Sequence, residues 1–240
     1  MRAQASKTIR LLCLALCVLC LAAAARARQQ QTGAQPAQTP KAEAQPKQEP
    51  SSAKKNARPE ADAKAEPFDK ATPEQMSKQC VKLATEEGDI EIEMFPEAAP
   101  ESVRNFLNLA ATGAYDTTVF SRVVRGFIIQ GGDLATREKR TPELMRRAVR
   151  RVPDEPSAVK HVRGIVSMAR TDQPDSATTH FFILAGDGPH LDGTFAAFGR
   201  VRSGMDVVDK INGAELEGEH PKKPVRITRA TVASCVPAPG

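Results

Sequence analysis

The stretch FSRVVRGFIIQGGD, residues 120–133, combines a fixed cation with an apolar surface. Arg122 lies in one strand-like run, and a second apolar run, 127–129, ends at Gln130 and two glycines. An arginine side chain is always charged and presents its donors in a rigid fork, so it can stabilise charge that develops in a bound substrate. The stretch therefore fits a pocket in which a cation meets a hydrophobic floor. It also fits a plain β-hairpin in which the arginine is solvated, as we expect for Arg125 in the turn.

The common catalytic signatures are absent from the sequence. There is no G-x-S-x-G, P-loop or H-E-x-x-H motif, which argues against the usual hydrolase, nucleotide-binding and zinc sites. The four histidines lack metal-ligand spacing, so we expect no metal site. A Ser121–His180–Asp192 triad can be imagined, but nothing in the sequence supports its geometry.

The elements that position these residues follow from the hydrophobic periodicity. The run CVKLATEEGDIEIEMF alternates around Glu87-Gly88-Asp89 and predicts a β-hairpin. Apolar residues at helical spacing predict a helix in ESVRNFLNLAATG and a shorter one in SGMDVVDKIN. Further strands are predicted in TVFSRVV, GFIIQGG, GIVSMAR, HFFILA, FAAFGRV and VRITRATVASC. Many short strands with only two helices favour an all-β barrel or sandwich.

Residues 134–160 lack this alternation and are rich in arginine and lysine. They are predicted to form a long surface loop with about one helical turn. Their basic face could steer an acidic partner, although an ordinary solvated surface has the same composition. No aromatic residue interleaves the charges, as binding of single-stranded nucleic acid would require, so we expect no nucleic-acid partner.

With 40% hydrophobic but only 4% aromatic residues, the 240-residue chain combines one moderate domain with segments poor in core-forming residues. Residues 1–27 have a basic start, an apolar run and an A-x-A step, which are typical of a secretory signal peptide. A retained helical anchor, or a lipid on Cys17 or Cys20, is the alternative. Residues 28–75 are predicted to be a disordered linker, because they offer little apolar surface to offset ordering entropy. Residues 76–240 have the size of one domain with its own core.

Three blocks of the sequence resemble one protein family. FSRVVRGFIIQGGD, GIVSMARTDQPDSATTHFFIL and HLDGTFAAFGRV occur in the order, and near the spacing, found in cyclophilin-type peptidyl-prolyl cis/trans isomerases. The resemblance covers roughly residues 80–235 and is closest to exported bacterial members, whose MART and DSAT runs this chain shares. It implies an all-β fold, a closed eight-stranded antiparallel β-barrel capped by two α-helices. It also implies an enzyme that accelerates rotation about X–Pro bonds without a cofactor.

The resemblance assigns site residues by position. Arg122 matches the family's catalytic arginine, which donates a hydrogen bond to the prolyl nitrogen as the amide twists and loses resonance. Phe127 matches the apolar floor under the proline ring. Gln130 matches a residue that orients the arginine and binds the substrate backbone. The expected substrate-binding positions are Ile128, Ala169, Arg170, His180, Phe182, His190, Leu191 and Phe195.

Several of these positions differ from the family's usual residue. Ser121 replaces His, Ile128 replaces Met, Arg170 replaces Asn, His180 replaces Gln, His190 replaces Trp or Phe, and Phe195 replaces His. None of the changes removes the arginine or the apolar floor. We therefore expect catalysis to be retained, with His180 and His190 as the residues that could alter its rate or preference.

Cys80 and Cys235 are the only cysteines after the N-terminal apolar run, and they lie near the two ends of the predicted domain. In the cyclophilin barrel the first and last strands are antiparallel neighbours, so the resemblance implies that these two side chains lie side by side. An oxidising, exported compartment would allow a disulfide. Two free buried thiols are the alternative.

The sequence thus predicts a monomeric isomerase, periplasmic or secreted, that acts on proline-containing polypeptides during the folding of exported proteins. A catalytically weak binding module or chaperone on the same barrel is the alternative. The N-terminus could also tether the protein to the membrane through a lipid or an uncleaved helix.

The processing of the N-terminus is directly testable. If residues 1–27 are a cleaved signal peptide, the mature protein begins at Arg28, and mass spectrometry of protein recovered from its native compartment should find that residue first. A chain that still begins at Met1 would instead indicate a retained anchor. A lipid mass on Cys17 or Cys20 would indicate a lipoprotein.

Overall fold

The computed structural model describes residues 65–235. The strands are β1 (Gln79–Thr85), β2 (Gly88–Met94), β3 (Arg122–Val124), β4 (Ile128–Gly131), β5 (Ile165–Met168), β6 (Phe181–Leu184), β7 (Ala197–Ser203), β8 (Leu216–Glu217), β9 (His220–Pro221) and β10 (Ile227–Ser234). The helices are α1 (Pro73–Ser77), α2 (Pro100–Ala111), α3 (Pro142–Ala148) and α4 (Met205–Asn212). The two predicted helices are α2 and α4.

Eight of the strands form one curled, antiparallel half-barrel sheet in the order β10-β1-β2-β7-β5-β6-β4-β3. Strands β8 and β9 form a separate hairpin. The chain ahead of β3 is hydrogen-bonded to the start of β10, where Thr117 N–H donates to Ile227 O and Ile227 N–H donates to Thr118 O, each at 2.8 Å. The prediction of a mostly-β fold with eight strands in one sheet is confirmed, as a curled half-barrel. Full closure of the barrel stays a prediction.

The sheet separates two hydrophobic clusters, because successive residues of a strand point to opposite faces. In β4, Ile129 belongs to the main core and Ile128 to a second cluster on the other face. In β6, Phe181 belongs to the main core and Phe182 to the second cluster. The largest buried aromatic residues of the main core are Phe106, Tyr115, Phe120, Phe181 and Phe198. Helix α2 covers this core, and the second cluster lies where the site residues were predicted.

Residues 134–160 contain more structure than the sequence indicated. Helix α3 has seven residues and follows a separate 3₁₀ turn, so the expectation of one helical turn is wrong. The segment also caps α2, whose own N-cap residue Ala99 has no side-chain acceptor. The Glu155 carboxylate accepts hydrogen bonds from the backbone N–H of Glu101 at 2.9 Å and of Ser102 at 2.8 Å. A carboxylate at a helix N-terminus satisfies free donors and favours the helix dipole.

The predicted C-terminal boundary of the linker, residue 75, lies too far along the chain. Residues 65–75 are packed on the domain: Phe68 lies against the main core, and its N–H donates to Asn108 Oδ1 at 2.7 Å. Arg104 Nη1 donates to the carbonyls of Phe68 and Ala71. Composition alone predicted that this segment would be disordered. Burial of the Phe68 side chain and the hydrogen bonds from Arg104 offset the entropic cost of ordering it. The predicted signal peptide and the earlier part of the linker lie outside the described residues.

Within residues 65–235, no helix has both the length and the apolar character needed to cross a membrane. Over the same residues, no group of three or more His, Cys, Asp or Glu side chains is arranged to hold a metal ion.

Cys80 and Cys235 form a disulfide, with a Cα–Cα distance of 5.0 Å. Strand β1 pairs with β10 in antiparallel register, Cys80 lying opposite Ala233, and Cys235 N–H donates to Lys78 O just beyond the last pair. The bond therefore joins the first and last strands of the sheet across 155 residues of sequence.

Loss of this bond should destabilise the domain. Replacing both cysteines, Cys80→Ser with Cys235→Ser, should lower the free energy of unfolding by about 2–4 kcal/mol, because a cross-link over a long loop restricts the unfolded chain. Denaturant unfolding of the oxidised wild type and the double variant measures the difference. Equal midpoints and slopes for the two proteins would contradict this expectation.

Candidate active site

Arg122, Gln130 and Phe182 form one row across three neighbouring strands. In the antiparallel register Arg122 pairs with Gln130 of β4, and Gln130 pairs with Phe182 of β6. Residues directly opposite each other in an antiparallel pair project to the same face. Arg122 Nη1 accordingly donates to Gln130 Oε1 at 3.2 Å. The row places a cation, its hydrogen-bonded amide and an aromatic ring side by side on the face that carries the second cluster.

The second glycine after Gln130, Gly132, is required by its close packing against the chain that precedes β6. A Cβ atom on Gly132 would lie 2.3 Å from Thr179 O, and the residue has a φ of +84°. Such a φ is readily accessible only to glycine. Thr179 also donates through Oγ1 to Gly132 O at 2.8 Å. Gly132 therefore fixes where β4 ends, and with it the position of Gln130.

The turn between β3 and β4 is held by Asn212, the last residue of α4. Its Oδ1 accepts from Gly126 N–H at 2.7 Å, while its Nδ2 donates to the carbonyls of Val124 and Ile128. This side chain supplies the turn with three hydrogen bonds from a helix more than 80 residues away in sequence. Arg125 is exposed, as predicted, but it is not purely solvated, because its Nη2 donates to Ala214 O at 2.8 Å.

The predicted apolar positions all belong to the second hydrophobic cluster. Its buried members are Ile128, Ile165, Phe182, Leu184, Leu191 and Ala197, and its partly buried members include Phe127, Ala169 and Phe195. Phe182 and Phe195 meet edge to face with ring centroids 5.9 Å apart. The rings of Phe127 and His190 are 5.2 Å apart. The structure thus brings these positions together into one partly open apolar surface beside Arg122.

The remaining predicted positions lie at the border of this surface. The Arg170 guanidinium stacks 4.9 Å from the Phe195 ring centroid, a cation–π contact. Ala169 N–H donates to His180 O at 3.0 Å, so this group is already used within the protein. Within residues 65–235, the backbone N–H of Arg170 has no acceptor. It is therefore the backbone donor of this segment that is available to a bound peptide. His180 is 37% exposed, with its Nε2 3.9 Å from Asp133 Oδ1.

One charged residue of the site was missed by the sequence analysis. Glu219 lies in the turn between β8 and β9, 97 residues from Arg122, and its Oε2 accepts from Arg122 Nε at 2.6 Å. The hydrogen bond from Arg122 lowers the pKa of the Glu219 carboxyl. Nothing in the local pattern around Glu219 identifies this role, because the pairing depends on where the β8–β9 hairpin packs.

A buried polar network lies beneath the apolar surface. His161 Nδ1 is 3.2 Å from Asp192 Oδ1, and His161 Nε2 is 3.0 Å from Ser167 Oγ. The Ser121–His180–Asp192 triad, which the sequence did not support, has no counterpart here, because Asp192 is engaged by His161 and not by His180. Ser167 is fully buried and lies opposite Phe182 in the sheet. A hydroxyl in that position has no access to substrate, so the network supports the pocket instead of acting as a nucleophile.

Comparison with known proteins is consistent with this geometry. The sequence profile of the family described as cyclophilin type peptidyl-prolyl cis-trans isomerase/CLD matches residues 80–232. Peptidyl-prolyl cis-trans isomerase A of Dickeya dadantii is 36% identical over 141 residues, which is 55% of this chain and 72% of the relative. Peptidyl-prolyl cis-trans isomerase B of Escherichia coli is 39% identical over 147 residues, 55% of this chain and 86% of the relative.

A crystal structure shows the same fold. The cyclophilin-type isomerase of Cryptosporidium parvum, solved in the presence of the dipeptide Ala-Pro, superposes with a TM-score of 0.57 at 30% sequence identity. The match covers 65% of this chain and 99% of the other.

The buried network should make the free energy of unfolding depend on pH. Burial lowers the pKa of His161, although the hydrogen bond to Asp192 acts in the opposite direction. As pH falls below about 6.5, the usual pKa of an unfolded histidine, the unfolded chain binds the proton first and the free energy of unfolding declines. Denaturant titrations between about pH 7.5 and 5 should show this decline in the wild type and a weaker one in His161→Gln. Identical slopes in both proteins would exclude His161 as the cause.

Proposed function

Because the chain belongs to the cyclophilin-type peptidyl-prolyl cis-trans isomerase family, we propose that it accelerates X–Pro rotation through Arg122. The family match and the relatives named as peptidyl-prolyl cis-trans isomerases identify the chain as an isomerase. The proposed mechanism rests on the cross-strand row in which Arg122, Gln130 and Phe182 share one face of the sheet.

The barrier to X–Pro rotation comes from amide resonance, which gives the C–N bond partial double-bond character. At the twisted transition state this resonance is lost and the prolyl nitrogen regains a lone pair. A guanidinium N–H aimed at that nitrogen forms a hydrogen bond that strengthens during the twist. It therefore stabilises the transition state more than the ground state, which is the requirement for catalysis. Arg122 can do this without any proton transfer, since its charge does not change.

The apolar surface supplies the second requirement, a fixed proline ring. Ile128 and Phe182 are buried residues of the sheet, and Leu191 is buried at the end of a 3₁₀ turn, Pro189–Leu191. Phe127 and Phe195 are partly open to solvent. A ring held on this floor stays in place while the residue before it rotates. Small-molecule sites commonly combine such an apolar lining with a few placed polar groups. The Ala-Pro dipeptide named for the C. parvum structure supports proline-containing peptides as the substrate class.

The substrate backbone would be bound beside the ring. Gln130 Oε1 already accepts from Arg122, so its amide N–H₂ is the group left to bind a substrate carbonyl. The Arg170 N–H would serve as a second backbone contact. Contacts to main-chain groups tolerate many side chains, which suits an enzyme that meets diverse proline sequences.

We further propose that the substrates are exported proteins. Two features support this: the basic, apolar and small-residue order of residues 1–27, and the Cys80–Cys235 disulfide, a bond typical of oxidising compartments. In this proposal the domain is a closed barrel carried on an N-terminal linker, in the periplasm or outside the cell.

The role of Arg122 is tested by substitution. Arg122→Ala should lower kcat/KM for a proline peptide by roughly two to three orders of magnitude, as expected when one preorganised transition-state donor is removed. Arg125→Ala is the matched control, since Arg125 is an exposed arginine on the same hairpin. Its one side-chain hydrogen bond within residues 65–235 is to Ala214 O. NMR exchange on a peptide with both isomers measures the rates.

The control should retain wild-type activity. Arg122→Ala within about threefold of the wild type would refute the mechanism, because the loss of a transition-state hydrogen bond must appear in kcat/KM. An inactive wild type would favour the binding-module alternative.

A further inference from the structure

The ion pair between Arg122 and Glu219 is partly exposed, so burial does not explain why the arginine holds its orientation. The Arg122 side chain is 39% exposed and that of Glu219 is 51% exposed. Strand β3, which carries Arg122, is an edge strand of the sheet and is only three residues long. A long side chain at such an edge would sample several rotamers unless other groups restrain it.

The β8–β9 hairpin attaches to β3 on both sides of Arg122. Val123 N–H donates to the backbone carbonyl of Glu219 at 2.8 Å. The ring Nδ1 of His220 lies 3.1 Å from Ser121 O. These two contacts fix the backbone of Glu219 next to β3, so its carboxylate reaches Arg122 from a defined position.

The two partners of the guanidinium leave one side of it free. An arginine has five N–H donors in a planar fork. Glu219 Oε2 occupies the Nε–H, and Gln130 Oε1 takes one donor of Nη1. Both Nη2 donors and the other Nη1 donor have no partner among residues 65–235. Two acceptors at different nitrogens fix the plane of the fork, and a single acceptor would leave it free to rotate.

We propose that Glu219 is a positioning residue for the isomerase reaction, holding the Arg122 fork so that its free donors face the prolyl nitrogen. The inference rests on the proposed function of Arg122. Glu219 itself needs no contact with the substrate. Its contribution is to order the arginine before the substrate binds, and preorganised donors are the effective ones in catalysis.

The negative charge of Glu219, considered alone, would have the opposite effect on the reaction rate. A carboxylate beside the guanidinium could reduce its strength as a donor, in which case removing Glu219 would raise the rate. Charge screening at this exposed pair makes the electrostatic effect small. The orientation of the fork is not screened by salt, so positioning should dominate.

The test compares three variants with the wild type. Glu219→Ala removes the acceptor. Glu219→Gln keeps an oxygen that can accept from Nε but carries no charge. Glu215→Ala is the matched control, because Glu215 forms the other ion pair of this hairpin region, with Lys222, and does not contact Arg122. Peptide concentration series by NMR exchange separate kcat from KM, and the Arg122 Nε–H resonance reports the hydrogen bond.

Positioning predicts a specific pattern. Glu219→Ala should lower kcat by about tenfold, since small displacement of a catalytic group can cost up to about 10²-fold. KM should change by no more than about twofold, because the floor and not the arginine holds the ring. Glu219→Gln should retain about half of the wild-type kcat, and Glu215→Ala should be unchanged. The Nε–H resonance should shift in Glu219→Ala, while Tm stays within about 2 °C, as expected for an exposed pair.

Other outcomes would overturn the inference. An unchanged or raised kcat in Glu219→Ala would show that Arg122 needs no external restraint, provided that Arg122→Ala shows its expected large loss of activity. Equal losses in Glu219→Gln and Glu219→Ala would exclude positioning by this hydrogen bond. An equal loss in Glu215→Ala would assign the effect to the hairpin fold. An inactive wild type, by contrast, would be a failure of the proposed function and not of Glu219 alone.

Discussion

The antiparallel register of β3, β4 and β6 is the constraint on which the site depends, because it alone puts Arg122, Gln130 and Phe182 in one row. A slip of one residue in β4 would move Gln130 to the core face and bring Ile129 beside the arginine. The register is fixed at both ends of β4. Gly132 packs against Thr179 at one end, and Asn212 holds the β3–β4 turn at the other.

The same alternation that builds the core also builds the pocket floor. Strands β4 and β6 direct one set of residues into the main core and the other into the second cluster, so both faces of these strands are apolar. Covering each apolar face of a sheet stabilises the fold, and α2 covers the inner one. The outer face remains partly open at Phe127 and Phe195, which is where a proline ring can bind.

Segments distant in sequence restrain the parts of the domain that lack regular structure. Glu155 caps α2, Arg104 binds the carbonyls of the chain before α1, and the β8–β9 hairpin flanks Arg122. Glu155 and Arg104 pair a charged side chain with backbone groups that would otherwise need water, and the hairpin combines a backbone hydrogen bond to Val123 with the ion pair to Arg122. These contacts hold long loops in place without adding to the hydrophobic core.

The sequence by itself determined the alternating strands, the helices α2 and α4, the family resemblance and the positions of Arg122, Phe127 and Gln130. These follow from local periodicity and from motifs whose residues are close in the chain. Only the tertiary structure decided the disulfide, the packing of residues 65–75 and the partners of Arg104, Glu155 and Glu219. Glu219 reaches Arg122 across 97 residues, and local patterns carry no information about which exposed charges will meet when the strands between them fold together.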